Sequence, residues 1–186
     1  KLSDHAFDTF DYVIPNKENV NKTLIKKINI EKLTESEIIE YKIYLISELA
    51  KKYNDLNWTM QIHLGAQRDN NTKMYKKLGP DTGFDSIGDS SFAKDLSEFL
   101  DSLDSEDKLP RTILYNLNSK DNDVLATMMG NFPKENVPAR VVFGTAWWFY
   151  DQKLGIESQL KSMANLGILR RFVGMVTDSR SFLSYT

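Results

Sequence analysis

The sequence predicts an α/β fold built on a parallel β-sheet. Short apolar segments with strand character alternate with longer segments whose apolar residues recur at helical spacing. The strand segments are apolar on both faces, which is typical of parallel strands covered by helices. The chain has 186 residues, of which 41% are hydrophobic, and this is enough for a buried core.

The first helix with a clear start signal follows Thr34. The Thr34 hydroxyl and the Glu37 carboxylate can satisfy free backbone amides reciprocally as a capping box. Apolar residues then recur at helical spacing. We expect one domain over residues 1–186, a partial barrel with a helical insertion around residues 16–54. Residues 58–64 indicate a buried strand that ends at Gly65.

The same alternation of helix and strand recurs three more times along the chain. Further strands are predicted at residues 112–115, 140–144 and 172–176. The helices before them have start signals at Asp89 or Ser90, at Ser119 and near Asp151, and the last of them is closed by Gly167. The series is therefore β-α-β-α-β-α-β.

Two architectures fit this alternation, an open doubly wound sheet and a (β/α)8 barrel. No strand is followed by the Gly-rich turn of a dinucleotide-binding fold. Polar or aromatic side chains instead follow every strand, namely His63 and Arg68, Asn116 and Asn118, Trp147 and Trp148, and Asp178 and Arg180. Such a distribution is typical of a barrel. With four strands and the end of another at residues 3–5, we expect the C-terminal half of a (β/α)8 TIM barrel whose two chain ends are both cut.

The composition excludes several classes of function. The 24 basic and 26 acidic side chains give a net charge of −2, so neither nucleic acid nor a membrane surface is an expected partner. No apolar run approaches the roughly 20 residues that span a bilayer, and no leader opens the chain, which favours the cytoplasm. The absence of cysteine excludes a thiolate nucleophile and Cys-ligated zinc. Two histidines leave a metal site short of ligands.

Several long segments resemble the uronate isomerase family. They are residues 60–72, 78–89, 144–152 and 172–186, together with Ser3-Asp4-His5. The resemblance runs in order from end to end of the chain. It implies an amidohydrolase-type (β/α)8 barrel, of which the chain would cover strands 5–8 and the end of strand 4. It also implies an aldose–ketose isomerase of hexuronate catabolism that interconverts D-glucuronate with D-fructuronate and D-galacturonate with D-tagaturonate.

The resemblance assigns catalytic roles to three residues. His63 follows barrel strand five and is expected to bind or orient the substrate, although a lone histidine is more often a satisfied core residue. Asp178 follows the last strand and is the expected metal ligand and proton acceptor, where the alternative is a helix N-cap. Asp4 faces the pocket by the same resemblance, although residues at a chain terminus are usually frayed.

Three further residues are candidates for substrate binding. A uronate carries a carboxylate, and a guanidinium can hold a carboxylate with two hydrogen bonds. Arg68 and Arg180 are therefore candidates for that contact. Trp147 is the tryptophan that the resemblance places beside the sugar ring, although aromatic pairs are normally core residues. We expect Asp81 and Asp85 to hold their loop rather than touch substrate.

The resemblance also implies a divalent metal in the complete enzyme, with zinc as the first candidate. The family holds it mainly with a His-x-His pair that this chain lacks, so we expect the metal site to be empty and the chain inactive by itself. The reaction is expected to proceed by enediol-type proton transfer, with a hydride shift as the alternative. The expected partners are a uronate sugar and further copies of the chain. The alternative function is a non-catalytic half-barrel fragment that persists by self-association.

Overall fold

A computed structural model describes residues 1–174 of the chain. The helices of this part are α1 (Lys17–Ile28), α2 (Glu35–Asp55), α3 (Thr72–Leu78), α4 (Ala93–Asp104), α5 (Asn122–Met128) and α6 (Lys153–Leu166). The strands are β1 (Leu2–Phe7), β2 (Thr59–Leu64), β3 (Ala66–Gln67), β4 (Ser86–Ile87), β5 (Arg111–Asn116) and β6 (Val141–Phe143).

Four strands form one sheet in the order β1-β2-β5-β6. β5 and β6 are parallel. The amide of Thr59 donates to the carbonyl of Lys1, and the amide of Gly65 donates to the carbonyl of Phe7. Because residues later in one segment bond to residues later in the other, β1 and β2 are parallel as well. The predicted α/β fold on a parallel sheet is confirmed. β3 and β4 form a separate antiparallel pair.

The four strands of the larger sheet were all predicted, whereas the short pair β3 and β4 was not. β1 is a complete strand of six residues, where the sequence indicated only a strand end. Residues 172–174 carry no strand, and the remainder of the strand predicted at 172–176 lies outside the described residues. α1 and α2 occupy most of the segment 16–54, as a helical segment requires. The interpretation of this segment as an insertion into the barrel stays a prediction.

The N-cap predictions succeed only in part. Thr34 forms the predicted capping box with Glu37 at the start of α2. The prediction of Asp89 or Ser90 for α4 is wrong, because α4 begins after Phe92 without a side-chain cap. Ser119 is also wrong, because a short 3-10 turn precedes α5 and the side chain before that turn, Asn118, accepts the amide hydrogen bond.

The chain divides into two compact units. The first comprises Lys1–Ser3, Phe10–Met60 and Ser91–Arg111. It is mainly helical, with α2 packed on α1 and on α4. Its core includes apolar side chains from α2 and α4 and one aromatic from the segment after β1, namely Ile43, Ile46, Ala50, Leu96, Phe99, Leu100, Leu103 and Phe10.

The second unit contains Asp4–Thr9, Gln61–Ser90 and the described residues from Thr112 onward. It holds the carboxyl-terminal parts of β1, β2 and β5 together with β6, α5 and α6. Buried and partly buried side chains alternate along β2 and β5. Ile62, Leu64 and Leu114 are fully buried, whereas the side chains between them are only partly buried and include the candidate site residues.

No helix within residues 1–174 has the length and apolar character needed to cross a bilayer.

Candidate active site

Asp4 and His63 form the centre of the candidate site. They lie on the neighbouring strands β1 and β2, and Nδ1 of His63 is 2.7 Å from Oδ1 of Asp4. An ionised carboxylate can only accept a hydrogen bond, so Nδ1 carries the proton and Nε2 keeps its lone pair. The pair therefore presents a proton acceptor at Nε2.

Two aromatic rings pack against the imidazole of His63. The Tyr115 ring is stacked on it, with centroids 4.2 Å apart and ring planes within 4°. The Trp147 ring contacts it edge-on at 4.5 Å and 63°. Burial lowers the pKa of His63 below its ordinary value of 6.5, and the Asp4 carboxylate opposes that shift in part. His63 is therefore neutral at pH 7 and able to accept a proton.

Tyr115 belongs to this site although sequence reasoning assigned it only to a strand. Its hydroxyl donates a hydrogen bond to Oε1 of Gln61 at 2.7 Å. Burial, together with the nearby charge of Asp4, raises the pKa of Tyr115 to about 12. The phenol therefore stays protonated. The alternation of polar Gln61 and His63 with apolar residues along β2 is a sequence signal for the exposed face of that strand, but nothing comparable marks Tyr115.

Gly144 makes room for the Tyr115 ring. It follows β6, and a Cβ added at this position would collide with Cε1, Cδ1 and Cζ of the ring. Any larger residue at Gly144 must therefore displace the tyrosine that stacks on His63.

Arg68 lies beside the second tryptophan of the Trp147–Trp148 pair. Its guanidinium carbon is 5.2 Å from the Trp148 ring centroid, within the range of a cation–π contact. It also reaches Asp81, with Nη1 3.4 Å from Oδ1 of a mostly exposed carboxylate. An exposed pair at this distance is weak. A substrate carboxylate can therefore replace Asp81 on Arg68.

Trp148 has a backbone conformation that separates the two tryptophan rings. Its φ is +51°, in the left-handed region that bulky residues rarely adopt. The two indole centroids are 5.9 Å apart, with Trp147 against His63 and Trp148 against Arg68. The sequence favoured Trp147 and left Trp148 without a role.

A buried amide network supports the segment that carries the tryptophans. Nδ2 of Asn116, at the end of β5, donates to Oδ1 of Asn122 at 2.9 Å, and Nδ2 of Asn122 donates to the hydroxyl of Tyr150 at 2.7 Å. Asn118 donates to the carbonyl of Gly88. Asn116 and Asn118 lie at and just after the end of β5, where the sequence predicted polar side chains, and their amides tie loops together, whereas Asn122 of α5 was not predicted.

A second loop is held by Asp85. Its Oδ1 accepts the backbone amide of Asp69 at 2.8 Å. The carboxylate therefore fixes the loop that begins with Arg68 and encloses α3.

The structure brings four predicted site residues into one region of the second unit, namely Asp4, His63, Trp147 and Arg68. The other two, Asp178 and Arg180, lie outside the described residues. The catalytic and binding roles stay predictions.

The described residues do not fit a metal ion by themselves. Within residues 1–174 no three His, Cys, Asp or Glu side chains lie close enough together to hold one. The carboxylate of Asp4 and Nδ1 of His63 are already bound to each other.

The model of the glucuronate isomerase family matches residues 1–186. A uronate isomerase of Caldanaerobacter subterraneus subsp. tengcongensis is 55% identical over 185 residues, which cover 100% of this chain and 40% of the relative. A uronate isomerase of Clostridium perfringens is 49% identical over 185 residues, with the same two coverages. The chain thus spans about 40% of the length of these relatives.

Two crystal structures are similar to this chain. The uronate isomerase of Thermotoga maritima superimposes with a TM-score of 0.87 at 34% identity, over 98% of this chain and 39% of that chain. The glucuronate isomerase of Caulobacter crescentus gives a TM-score of 0.83 at 24% identity, over 97% and 36% respectively, and supports the fold alone. These likenesses confirm the expected fold class, the C-terminal part of an amidohydrolase-type (β/α)8 barrel.

Proposed function

Because the chain belongs to the glucuronate isomerase family, we propose that it supplies part of the active site of a longer uronate isomerase. The reaction is the interconversion of D-glucuronate with D-fructuronate and of D-galacturonate with D-tagaturonate. The observation that carries the proposal is the Asp4–His63 pair, 2.7 Å apart and packed between the rings of Tyr115 and Trp147.

His63 is the proposed proton-transfer group. Aldose–ketose isomerisation moves one proton from C2 to C1 of the sugar and another between the two oxygens. Nε2 of the neutral imidazole accepts a proton from the substrate and returns it after the double bond has shifted. Asp4 keeps Nδ1 protonated and stabilises the positive charge that appears on the ring meanwhile.

Arg68 is the proposed partner of the substrate carboxylate. Its guanidinium lies over the Trp148 ring and exchanges the weak contact with Asp81 for the uronate carboxylate. The apolar face of the sugar packs on Trp147. Arg180, outside the described residues, is the second proposed carboxylate ligand.

The amidohydrolase-type fold commonly binds a metal ion. We propose that the complete enzyme holds a divalent metal, zinc first, with Asp178 as the ligand from this chain. Since the described residues do not form a metal site, no step above depends on the ion.

Members of the family are metabolic enzymes that act on sugars. We propose that this enzyme works in the cytoplasm as a homo-oligomer. The exposed apolar side chains of Ile25, Ile28 and Ile30 on and after α1 support self-association. Sedimentation of the purified chain measures it, and a strictly monomeric chain would contradict that part of the proposal.

A chimera tests the proposed activity. This chain would replace the matching 185 residues of the Caldanaerobacter relative, and the product would be assayed for conversion of D-glucuronate to a ketouronate. We expect turnover at the rate of the parent relative within about tenfold. His63→Asn should lower kcat roughly 10²- to 10⁴-fold, because a general acid–base group is lost.

His5→Gln is the matched control, since His5 is the only other histidine in the chain. We expect it to change kcat by no more than about threefold. A folded chimera without activity, or a His63→Asn variant as active as the unsubstituted chimera, would contradict the proposal.

A further inference from the structure

Tyr115 covers one face of the His63 imidazole, while Asp4 binds only its Nδ1 edge. The two rings are parallel within 4° at 4.2 Å. The single hydrogen bond to Asp4 does not by itself prevent the imidazole from rotating about its Cβ–Cγ bond, a rotation that would carry Nδ1 away from the carboxylate. The stacked phenol ring opposes that rotation, keeps Nδ1 on Asp4 and thereby fixes both the tautomer and the direction in which Nε2 points.

We propose that Tyr115 is a positioning residue that holds the plane and the tautomer of His63. The inference rests on the proposed function, in which Nε2 of His63 accepts a proton from substrate. Tyr115 acts through His63 and makes no contact of its own with the sugar.

Tyr115 is itself held from two sides. Its hydroxyl donates to Gln61, which precedes His63 by two residues on β2 and shares its face of the sheet. Gly144 presses on the edge of the ring, where even a Cβ would collide. The stacking surface is thus fixed by one hydrogen bond and one close backbone approach.

The same environment excludes Tyr115 as a proton acceptor. Burial raises the pKa of Tyr115 to about 12, and the negative charge of Asp4 acts in the same direction. Its single proton is already donated to Gln61. A role through the ring is therefore the one that remains.

Nitrogen-15 NMR of the histidine side chains tests the proposal on the 186-residue chain. The chain contains only two histidines, so the His5→Gln variant assigns both sets of signals. In the unsubstituted chain we expect His63 as one tautomer with the proton on Nδ1. Tyr115→Phe keeps the ring and should keep this spectrum.

Tyr115→Leu removes the stacked ring. We expect its two His63 nitrogen signals to move toward each other as both tautomers become populated, and the pKa of His63 to rise toward 6.5 because the imidazole becomes hydrated. Within residues 1–174, the titratable groups in contact with this ring are Asp4 and Tyr115. Tyr53→Leu, which removes a tyrosine stacked on Trp58 in the first unit, is the matched control and should change neither quantity.

An unchanged tautomer and pKa in folded Tyr115→Leu would overturn the proposal. If that variant lacks a dispersed amide spectrum, Gly144→Ala serves instead, since the added Cβ must displace the Tyr115 ring. Gly144→Ala should also populate both tautomers of His63. If folded Gly144→Ala keeps the single tautomer, the proposal is overturned. The NMR measurement does not depend on turnover. It can therefore contradict the positioning role of Tyr115 while the chimera assay supports the isomerase activity, and the reverse.

Discussion

Residue-level chemistry in this chain depends on side chains that are distant in sequence. Asp4 and His63 meet because β1 and β2 are neighbours in the sheet, and Tyr115 joins them from β5. The strand alternation places all three on one face. The sheet therefore brings side chains from three separate segments into one cluster.

The first prediction concerns the dependence of stability on pH. Burial lowers the pKa of both His5 and His63 from 6.5, so the folded chain binds fewer protons than the unfolded chain in this range. The stabilisation is complete above pH 6.5 and is lost as the pH falls through the lowered pKa values. We expect the urea midpoint to fall as the pH is lowered from about 7.5 to 5.

His63→Gln should make that decline shallower, because one of the two groups no longer titrates. The midpoints would be measured by circular dichroism at each pH. An equally steep decline in His63→Gln and in the unsubstituted chain would contradict the assignment of a lowered pKa to His63.

The second prediction concerns the proposed carboxylate contact. In the chimera, Arg68→Met should raise the KM for D-glucuronate roughly 10- to 100-fold, because a charge-assisted hydrogen-bond pair is lost. Trp148→Leu should raise KM less, by roughly 2- to 30-fold, because it removes only a cation–π contact. Steady-state kinetics at fixed pH measures both.

Asp81→Asn is the control for the second prediction. It removes the carboxylate that competes for Arg68, so KM should stay the same or fall. A KM unchanged by Arg68→Met would exclude Arg68 as the carboxylate ligand.

Some residues of the candidate site can be identified from the sequence, and others cannot. Sequence motifs contain four of the site residues, which could be identified in advance: Asp4, His63, Arg68 and Trp147. Tyr115 and Trp148 could not, because their importance depends on which rings the sheet and a left-handed turn bring together. A tyrosine in an apolar strand has the same sequence signature whether it stacks on a histidine or fills a core.

Elements with local start signals are the ones that sequence predicts best. The capping box of α2 involves residues three apart, so it is visible in the sequence and present in the structure. The start of α4 is set by Phe92, a fully buried aromatic without capping ability. The burial of Phe92 in the first unit therefore determines where α4 begins, and the capping preference of Ser90 does not.

The third prediction compares these two helix starts. Thr34→Ala should lower the free energy of unfolding by about 1 kcal/mol, because it removes one half of the capping box. Ser90→Ala is the matched control and should change it by less than about 0.5 kcal/mol. Urea denaturation measures both, and an equal loss in the two variants would contradict the cap assignment.

The whole molecule is best described as part of a barrel. The chain spans about 40% of the length of its relatives, and the side chain of Asp4 is 60% exposed although it is paired with His63. In a complete (β/α)8 barrel the inner face of the strands is covered by the strands opposite. The share of its relatives that the chain covers therefore agrees with a partial barrel.

The fourth prediction follows from that partial barrel. The purified 186-residue chain should show no detectable turnover of D-glucuronate, with or without added zinc or manganese, because it spans about 40% of the length of its relatives and its sequence contains no His-x-His pair. Turnover on the order of 1–10³ s⁻¹, which is typical of intact enzymes, would contradict this expectation. The chimera serves as the positive control in the same assay.

The most direct measurement of the central claim is a double-mutant cycle on Asp4 and His63 in the chimera. If the two side chains act as one proton-transfer unit, Asp4→Asn combined with His63→Asn should lower kcat/KM no further than His63→Asn does alone. Additive losses, in which the double variant shows the product of the two single effects, would contradict the account.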